Sequence, residues 1–149
     1  MPNALQTSGT CRFAPNRLGF ETSVVTIVLL GVGPIVATAL YTAMGDPKHY
    51  RNGREFAAFL GLVPRQFGTG GKVSLKGISK RGDQQTRSFL VQGAQAALSK
   101  MHKRDDKLSQ RACRVKERRG HNVAAVALAN KLARICWALA SNNTEFKFS

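Results

Sequence analysis

Residues 122–140 read NVAAVALANKLARICWALA, and Leu or Ile recurs there at positions 128, 132, 135 and 139. Spacings of four, three and four residues bring these side chains to one face of an α-helix. The pattern predicts a helix from Val123 to about Ala140, with Asn122 as its N-terminal cap. Because an apolar face must be covered by other elements, we expect this helix to lie in a helical core.

The segments before this helix are predicted to be helical as well. Residues 84–101 carry an apolar stripe at helical spacing, formed by Leu90, Val91, Ala94, Ala97, Leu98 and Met101. Residues 103–119 are strongly charged and end before a glycine, and the pair Asp105-Asp106 is expected to balance charge and to cap a helix there. With a short helix at residues 54–60, these patterns predict a mainly α protein built as a small helical bundle.

A glycine-rich basic segment, LVPRQFGTGGKVSLKGISKRGD at residues 62–83, separates these helices. It is predicted to be a loop, with a short hairpin around Lys72–Leu75. Glycines leave backbone N–H groups accessible, and Lys and Arg supply charge for phosphate. The segment is not a Walker A loop, because Val73 follows Gly-Gly-Lys. A loop that only contacts phosphate is the preferred interpretation, and a loop that also carries a hydroxyl nucleophile is the alternative.

Residues 22–45, TSVVTIVLLGVGPIVATALYTAMG, contain no charged side chain. A stretch of this length could cross a bilayer, which takes about 20 apolar residues. The break at Gly31-Val32-Gly33-Pro34 favours instead two short helices joined by a turn, with Pro34 opening the second. This is a helix-hairpin-helix pattern, in which Gly31 and Gly33 let the backbone approach a phosphate. A tight helical corner without a ligand is the other interpretation.

The charge of the chain points to a polyanionic partner. The 149 residues include 23 Lys and Arg against 8 Asp and Glu, a net charge of +15. Most of that excess lies between Arg65 and Arg119, and nucleic acid is the first candidate before an anionic membrane. Eight scattered acids disfavour a complete two-metal nuclease site. Three Cys and three His residues form no zinc motif, so we expect no metal site and a reducing cytoplasmic location. Residues 1–21 lack a basic start followed by an apolar stretch and a cleavage site, so we predict no signal peptide.

Several ordered blocks resemble the C-terminal domain of bacterial insertion-sequence transposases of the 110/116/902 family. The blocks are Gly31-Val32-Gly33-Pro34-Ile35, Gly45-Asp46-Pro47, residues 54–66 (REFAAFLGLVPRQ), Gly70-Gly71-Lys72, residues 77–83 (GISKRGD) and residues 122–134 (NVAAVALANKLAR). The resemblance divides the chain into a poorly organised segment 1–27, a transposase C-terminal-like domain 28–140 and a tail 141–149.

The resemblance implies a DNA transposase or recombinase that moves a mobile element. It implies a RuvC-like N-terminal domain with acidic residues and magnesium, and a C-terminal serine that forms a covalent DNA–protein intermediate. It also implies a structured guide RNA and oligomers that share active sites. No acidic domain precedes residue 28 here, so we expect a truncated copy with no cofactor of its own, magnesium belonging to the missing domain. Gly68-Thr69 stands where the serine is expected, and Thr69 is the nearest hydroxyl and thus the candidate catalytic residue.

The leading hypothesis is a cytoplasmic domain for DNA binding and transposition. Its partners are expected to be DNA, a guide RNA and either further copies of itself or a full-length transposase, with no membrane. The predicted nucleic-acid contacts are Gly31, Gly33, Arg65, Gly70, Gly71, Lys72, Lys76, Lys80, Arg81 and Arg87. One alternative is a nucleic-acid-binding remnant without catalysis. The other is a small membrane protein anchored by residues 22–45.

Overall fold

Five α-helices and one pair of strands make up residues 31–142, the part of the chain that the computed structural model describes. The helices are Pro34–Met44 (α1), Gly53–Phe59 (α2), Gln84–Lys100 (α3), Lys107–Arg119 (α4) and His121–Asn142 (α5), and the strands are Pro64–Thr69 (β1) and Lys72–Ile78 (β2). Single 3-10 turns lie at Pro47–His49 and Met101–Lys103. The prediction of a mainly α fold is confirmed.

The last helix, α5, is the central element of the core. Helices α2, α3 and α4 pack against it, and α1 packs on α3. Its buried face combines leucines with small residues that let neighbouring helices approach closely: Ala124, Ala125, Leu128, Ala129, Leu132, Ala133, Cys136 and Leu139. Burial raises the pKa of the Cys136 thiol to about 12, so this thiol is a packing group.

The start of α5 differs from the prediction. Asn122 was expected to cap the helix, but α5 begins one residue earlier, at His121. The backbone N–H of Ala124 donates to the carbonyl of Gly120, 3.1 Å away, so Gly120 takes the capping position. Gly120 has a φ of +87° and also ends α4, because its N–H donates to the Lys116 carbonyl at 2.9 Å. One glycine therefore serves both helix ends, and no separate cap fits between them.

An uninterrupted membrane span over residues 22–45 is not formed. Residues 31–33 are not helical, and α1 begins at Pro34, as predicted, and continues to Met44. Residues 22–30 lie outside the described part of the chain. One described helix, α5, is long and apolar enough to cross a membrane, but its apolar face is covered by α2, α3 and α4. That cover is typical of the core helix of a globular domain.

Aspartates cap two of the helices, α3 and α4. Asp83 accepts hydrogen bonds from the backbone N–H groups of Gln85 and Thr86 at the start of α3, and from the Thr86 hydroxyl. The Thr86 hydroxyl bond, followed by the backbone bonds, lowers the pKa of Asp83. Asp106 caps α4 through the Ser109 N–H at 3.1 Å and pairs with Arg104. The expectation that the Asp105-Asp106 pair provides a cap and local charge balance is confirmed for Asp106.

The two strands form an antiparallel ribbon that is longer than the predicted hairpin around Lys72–Leu75. β1 begins at Pro64, and its last residue, Thr69, pairs with Lys72 across a two-residue turn. Both turn residues, Gly70 and Gly71, have positive φ, +60° and +79°. Such a turn matches the twist of two antiparallel strands. Gly70 and Gly71, which contributed to the prediction of a loop, therefore form the turn that joins the two strands.

Backbone crossings fix the base of this ribbon to the helices. The Ser79 N–H donates to the Val63 carbonyl at 2.8 Å, and the Lys80 N–H donates to the Gly61 carbonyl at 3.1 Å. Asn130 of α5 donates to the Leu62 carbonyl at 3.0 Å. These bonds hold the ribbon in one position relative to the bundle.

Candidate nucleic-acid interface

The ribbon β1–β2 exposes both of its faces. Paired residues of an antiparallel ribbon share a face, and successive residues alternate. Phe67 pairs with Ser74, so the side chains of Phe67, Lys72, Ser74 and Lys76 lie on one face, named here the cationic face. The Lys76 ammonium lies 5.3 Å from the centroid of the Phe67 ring. The face therefore combines two positive charges with an aromatic ring that is 54% exposed.

The opposite face of the ribbon is apolar. Val73 pairs with Gly68 and Leu75 pairs with Gln66, and the two aliphatic side chains are 60% and 67% exposed. Phe67, Val73 and Leu75 are exposed on the ribbon but are not among the contact residues predicted from the sequence. The signal was present as the alternation of lysine or serine with apolar residues from position 72 to 76, which is the period of a strand.

The tip and the base of the ribbon carry most of the predicted contact residues. Gly70 and Gly71 form the exposed tip, where a Cβ atom would meet no heavy atom within 4 Å. The backbone of Thr69 lies beside this tip because it pairs with Lys72. Arg65, Lys80 and Arg81 are exposed at the base, where the Arg65 guanidinium donates two hydrogen bonds to the Ser79 carbonyl, at 3.1 and 2.9 Å. The structure thus brings together Arg65, Gly70, Gly71, Lys72, Lys76, Lys80 and Arg81 on one ribbon and its base.

Arg87 is the one predicted contact residue that the structure removes from the surface. Its relative exposure is 9%, and its guanidinium donates to the Leu60 carbonyl at 3.0 Å. The expectation of a nucleic-acid contact at Arg87 is therefore corrected. The physical reason is that the carbonyl of Leu60, at the end of α2, needs a donor, and Arg87 in the first turn of α3 supplies it.

The two glycines of the predicted helix-hairpin-helix lie in different surroundings. Gly31 has a φ of +95° and packs on α3, where a Cβ would lie 2.5 Å from the carbonyl oxygen of Gly93. Gly33 is exposed and precedes α1, with its carbonyl accepting from the Ala37 N–H at 2.9 Å. The first helix of the motif falls outside the described residues. Helix packing accounts for Gly31, and phosphate contact at both glycines stays a prediction.

Magnesium chemistry would need several carboxylates at one point. Within residues 31–142, no three His, Cys, Asp or Glu side chains come together. Asp83 and Asp106 are engaged as helix caps. The described residues therefore do not fit a magnesium site, and what they offer to a phosphate is the positive charge of the ribbon.

The chain is similar to known transposases. The family model described as transposase IS116/IS110/IS902 family matches residues 28–110. A probable family 20 transposase of Pseudomonas aeruginosa is 49% identical over 117 residues, which cover 78% of this chain and 35% of that protein. The transposase for insertion sequence element IS1328 of Yersinia enterocolitica is 44% identical over 126 residues, covering 85% of this chain and 38% of that protein.

A third relative, the transposase for insertion sequence element IS1111A of Coxiella burnetii, is 44% identical over 117 residues, which cover 78% of this chain and 32% of that protein. The chain spans about a third of the length of the curated relatives that it matches. The family match extends from before α1 into α4 and includes the whole ribbon. This chain belongs to the IS116/IS110/IS902 family of transposases.

Proposed function

We propose that this chain is a DNA-binding domain of an insertion-sequence transposase and that the ribbon β1–β2 contacts the DNA backbone. The observation that carries the proposal is the cationic face, where Lys72 and Lys76 flank an exposed aromatic ring. A two-stranded antiparallel ribbon is narrow enough to enter the major groove of DNA. Lysines supply charge to phosphates without reading the base sequence.

The geometry of the ribbon favours backbone contact at its tip. Gly70 and Gly71 carry no side chains that would hold a phosphate away from the backbone N–H groups. Lys72 follows them directly, and Arg65, Lys80 and Arg81 add charge at the base. The positions of these cations are set by the bonds that join the ribbon to α2 and α5. We infer that the ribbon is presented to DNA as a rigid element.

The test is a salt series on a ribbon variant. Lys72→Gln/Lys76→Gln is expected to weaken binding to a labelled DNA duplex and to reduce the slope of log K against log salt by about 1.8, since each lost phosphate contact removes about 0.9. Fluorescence anisotropy on the full chain measures both quantities. The matched control, Lys48→Gln/Arg51→Gln, removes the same charge from the surface near the C-terminal half of α5 and is expected to keep most of the slope.

Two outcomes would contradict the proposal. The first is a folded wild-type chain that binds no duplex at low salt. The second is a ribbon variant whose slope equals that of the wild type or of the control. Either result would leave the ribbon without a role in DNA binding.

Catalysis through a hydroxyl is the second function considered, because the backbone of Thr69 lies at the tip of the ribbon. In that step the hydroxyl oxygen would bond to a DNA phosphorus, the bond to the leaving deoxyribose oxygen would break, and that oxygen would take up a proton. The described residues hold no cluster of metal ligands to assist it. We therefore expect no covalent DNA adduct from this chain alone, with magnesium and duplex, on a denaturing gel. An adduct that disappears in Thr69→Ala would establish the catalytic function instead.

Transposition itself, a guide RNA partner, assembly with further copies or a longer transposase, and action in the cytoplasm are proposed from the family. Two of these relatives are transposases for insertion sequence elements and the third is a probable family 20 transposase, and this chain corresponds to about a third of each. A domain of this kind would supply DNA binding to a larger assembly.

A further inference from the structure

Helix α4 carries a straight row of cations on its solvent side. Lys107, Arg111, Arg114 and Arg118 follow one another at spacings of four, three and four residues, and all four are exposed. This spacing keeps them on one face of the helix. The opposite face holds the buried residues Ser109 and Ala112, which pack toward the core. The row, named here the α4 stripe, is thus separate from the packing face of its own helix.

The stripe is not neutralised by the helix that bears it. α4 contains six Lys and Arg residues and one acid, Glu117. Within residues 31–142, Arg104 forms an ion pair with Asp106, and no residue of the stripe takes part in an ion pair. Like charges three and four residues apart on a helix repel one another. A polyanion bound along the stripe would relieve that repulsion. Helix α5 adds a further cation beside the stripe, because Lys131 lines the same shallow groove as Arg111.

We propose that the α4 stripe is a second nucleic-acid site, which binds the phosphodiester backbone along the helix axis; the proposal rests on the DNA-binding function proposed for the chain. Lys107 and Arg118 are eleven residue steps apart, and a rise of about 1.5 Å per step gives the stripe a length of about 16 Å. One strand of duplex DNA carries a phosphate about every 3.4 Å of its axis. Because the strand winds around that axis, successive phosphates along it lie farther apart than this rise, and the stripe is long enough to contact several of them.

A nucleic acid fits the stripe better than a membrane or an acidic protein. Helices that bind membranes leave an apolar face free to enter the lipid. On α4, the apolar side chains of Leu108, Ala112 and Val115 instead line the groove shared with α5 and pack in or against the core. A single row of cations at regular spacing matches a linear array of phosphates, and arginine binds phosphate through paired donors.

The experiment compares two variants that lose the same charge. Arg111→Gln/Arg114→Gln/Arg118→Gln removes three cations of the stripe and keeps residues that favour helix. Lys48→Gln/Arg51→Gln/Arg54→Gln removes three exposed cations near the C-terminal half of α5, where Trp137 donates to the Pro47 carbonyl at 3.0 Å. Anisotropy titrations over a salt series use a labelled DNA duplex in one arm and a labelled RNA hairpin in the other. Thermal unfolding followed by circular dichroism checks that each variant folds.

For the stripe variant we expect a slope of log K against log salt that is shallower by about 2 to 3, in at least one arm, with an unchanged or higher Tm. The control variant is expected to lose much less of the slope. The arm that shows the change identifies DNA or RNA as the source of the phosphates.

A stripe variant with the wild-type slope in both arms, while the wild type binds, overturns this inference and leaves the proposed function intact. Absence of binding by the wild type in both arms overturns the proposed function itself. Stripe-dependent binding of polyglutamate without any change in the nucleic-acid slopes would assign the stripe to an acidic protein and also overturn the inference.

Discussion

Gly82→Ala is expected to lower the free energy of unfolding by about 3 kcal/mol or more. Gly82 has a φ of +101°, where side chains are strained, and a Cβ there would overlap the carbonyl oxygen of Phe59. The neighbouring backbone contact is also too close for a side chain, since a Cβ on Gly61 would overlap the carbonyl oxygen of Arg81. The chain would have to separate the end of α2 from the start of α3. Urea unfolding followed by circular dichroism measures the loss.

The matched control for Gly82→Ala is Gly70→Ala. Gly70 also has a positive φ, +60°, but a Cβ there would meet no heavy atom within 4 Å. Backbone strain alone is expected to cost about 1 to 2 kcal/mol. Equal unfolding midpoints for the two variants would show that the close approach of the two backbones contributes nothing. A larger loss of unfolding free energy for Gly82→Ala would show that the close approach of the two backbones stabilises the base of the ribbon.

Phe56→Ala is expected to have the second large effect, a loss of about 3 to 5 kcal/mol in the free energy of unfolding. The Phe56 side chain is 0% exposed and its ring lies 5.1 Å from that of Tyr50 in an edge-on arrangement. Removing the ring opens a cavity beneath α2, the helix whose end forms the base of the ribbon. Urea unfolding gives the change in stability, and the duplex titration shows whether the ribbon still binds.

Phe59→Ala is the control on the same helix. The Phe59 ring is 6.5 Å from that of Phe56 but 44% exposed. Since nearly half of its surface already contacts solvent, truncation removes less buried apolar area than at Phe56, and we expect a cost of about 1 kcal/mol. If the two substitutions cost the same, Phe56 would not be the anchor of α2 on the core.

Local sequence signals account for the helices. Pro34 opens α1 because its fixed φ and missing N–H suit a first helical position. The apolar period of residues 84–101 and the row at 128, 132, 135 and 139 predict α3 and α5, and Leu90, Leu128, Leu132 and Leu139 are indeed buried. The charge of residues 103–119 and the cap at Asp106 predict α4. In each case the interacting residues lie within four positions of each other, so the sequence alone contains the information.

The ribbon and its attachment could be predicted only in part. A hairpin was expected near Lys72–Leu75, but β1 and the base of the ribbon depend on partners far along the chain, such as Asn130 for the Leu62 carbonyl. The orientation of Lys72 and Lys76 with Phe67 depends on the register of β1 against β2. Local sequence patterns predict neither a hydrogen-bond partner that lies far along the chain nor the register in which two strands pair.

Local periodicity, charge and ordered motifs are enough to predict a mainly α, strongly basic protein that is similar to insertion-sequence transposases. Which of its basic residues are available to a partner depends instead on how the helices and the ribbon pack. Arg87 and Lys76 look alike in the sequence, yet Arg87 is buried on the Leu60 carbonyl and Lys76 is exposed on the ribbon. Burial depends on long-range packing, and the side-chain type of a residue does not contain that information.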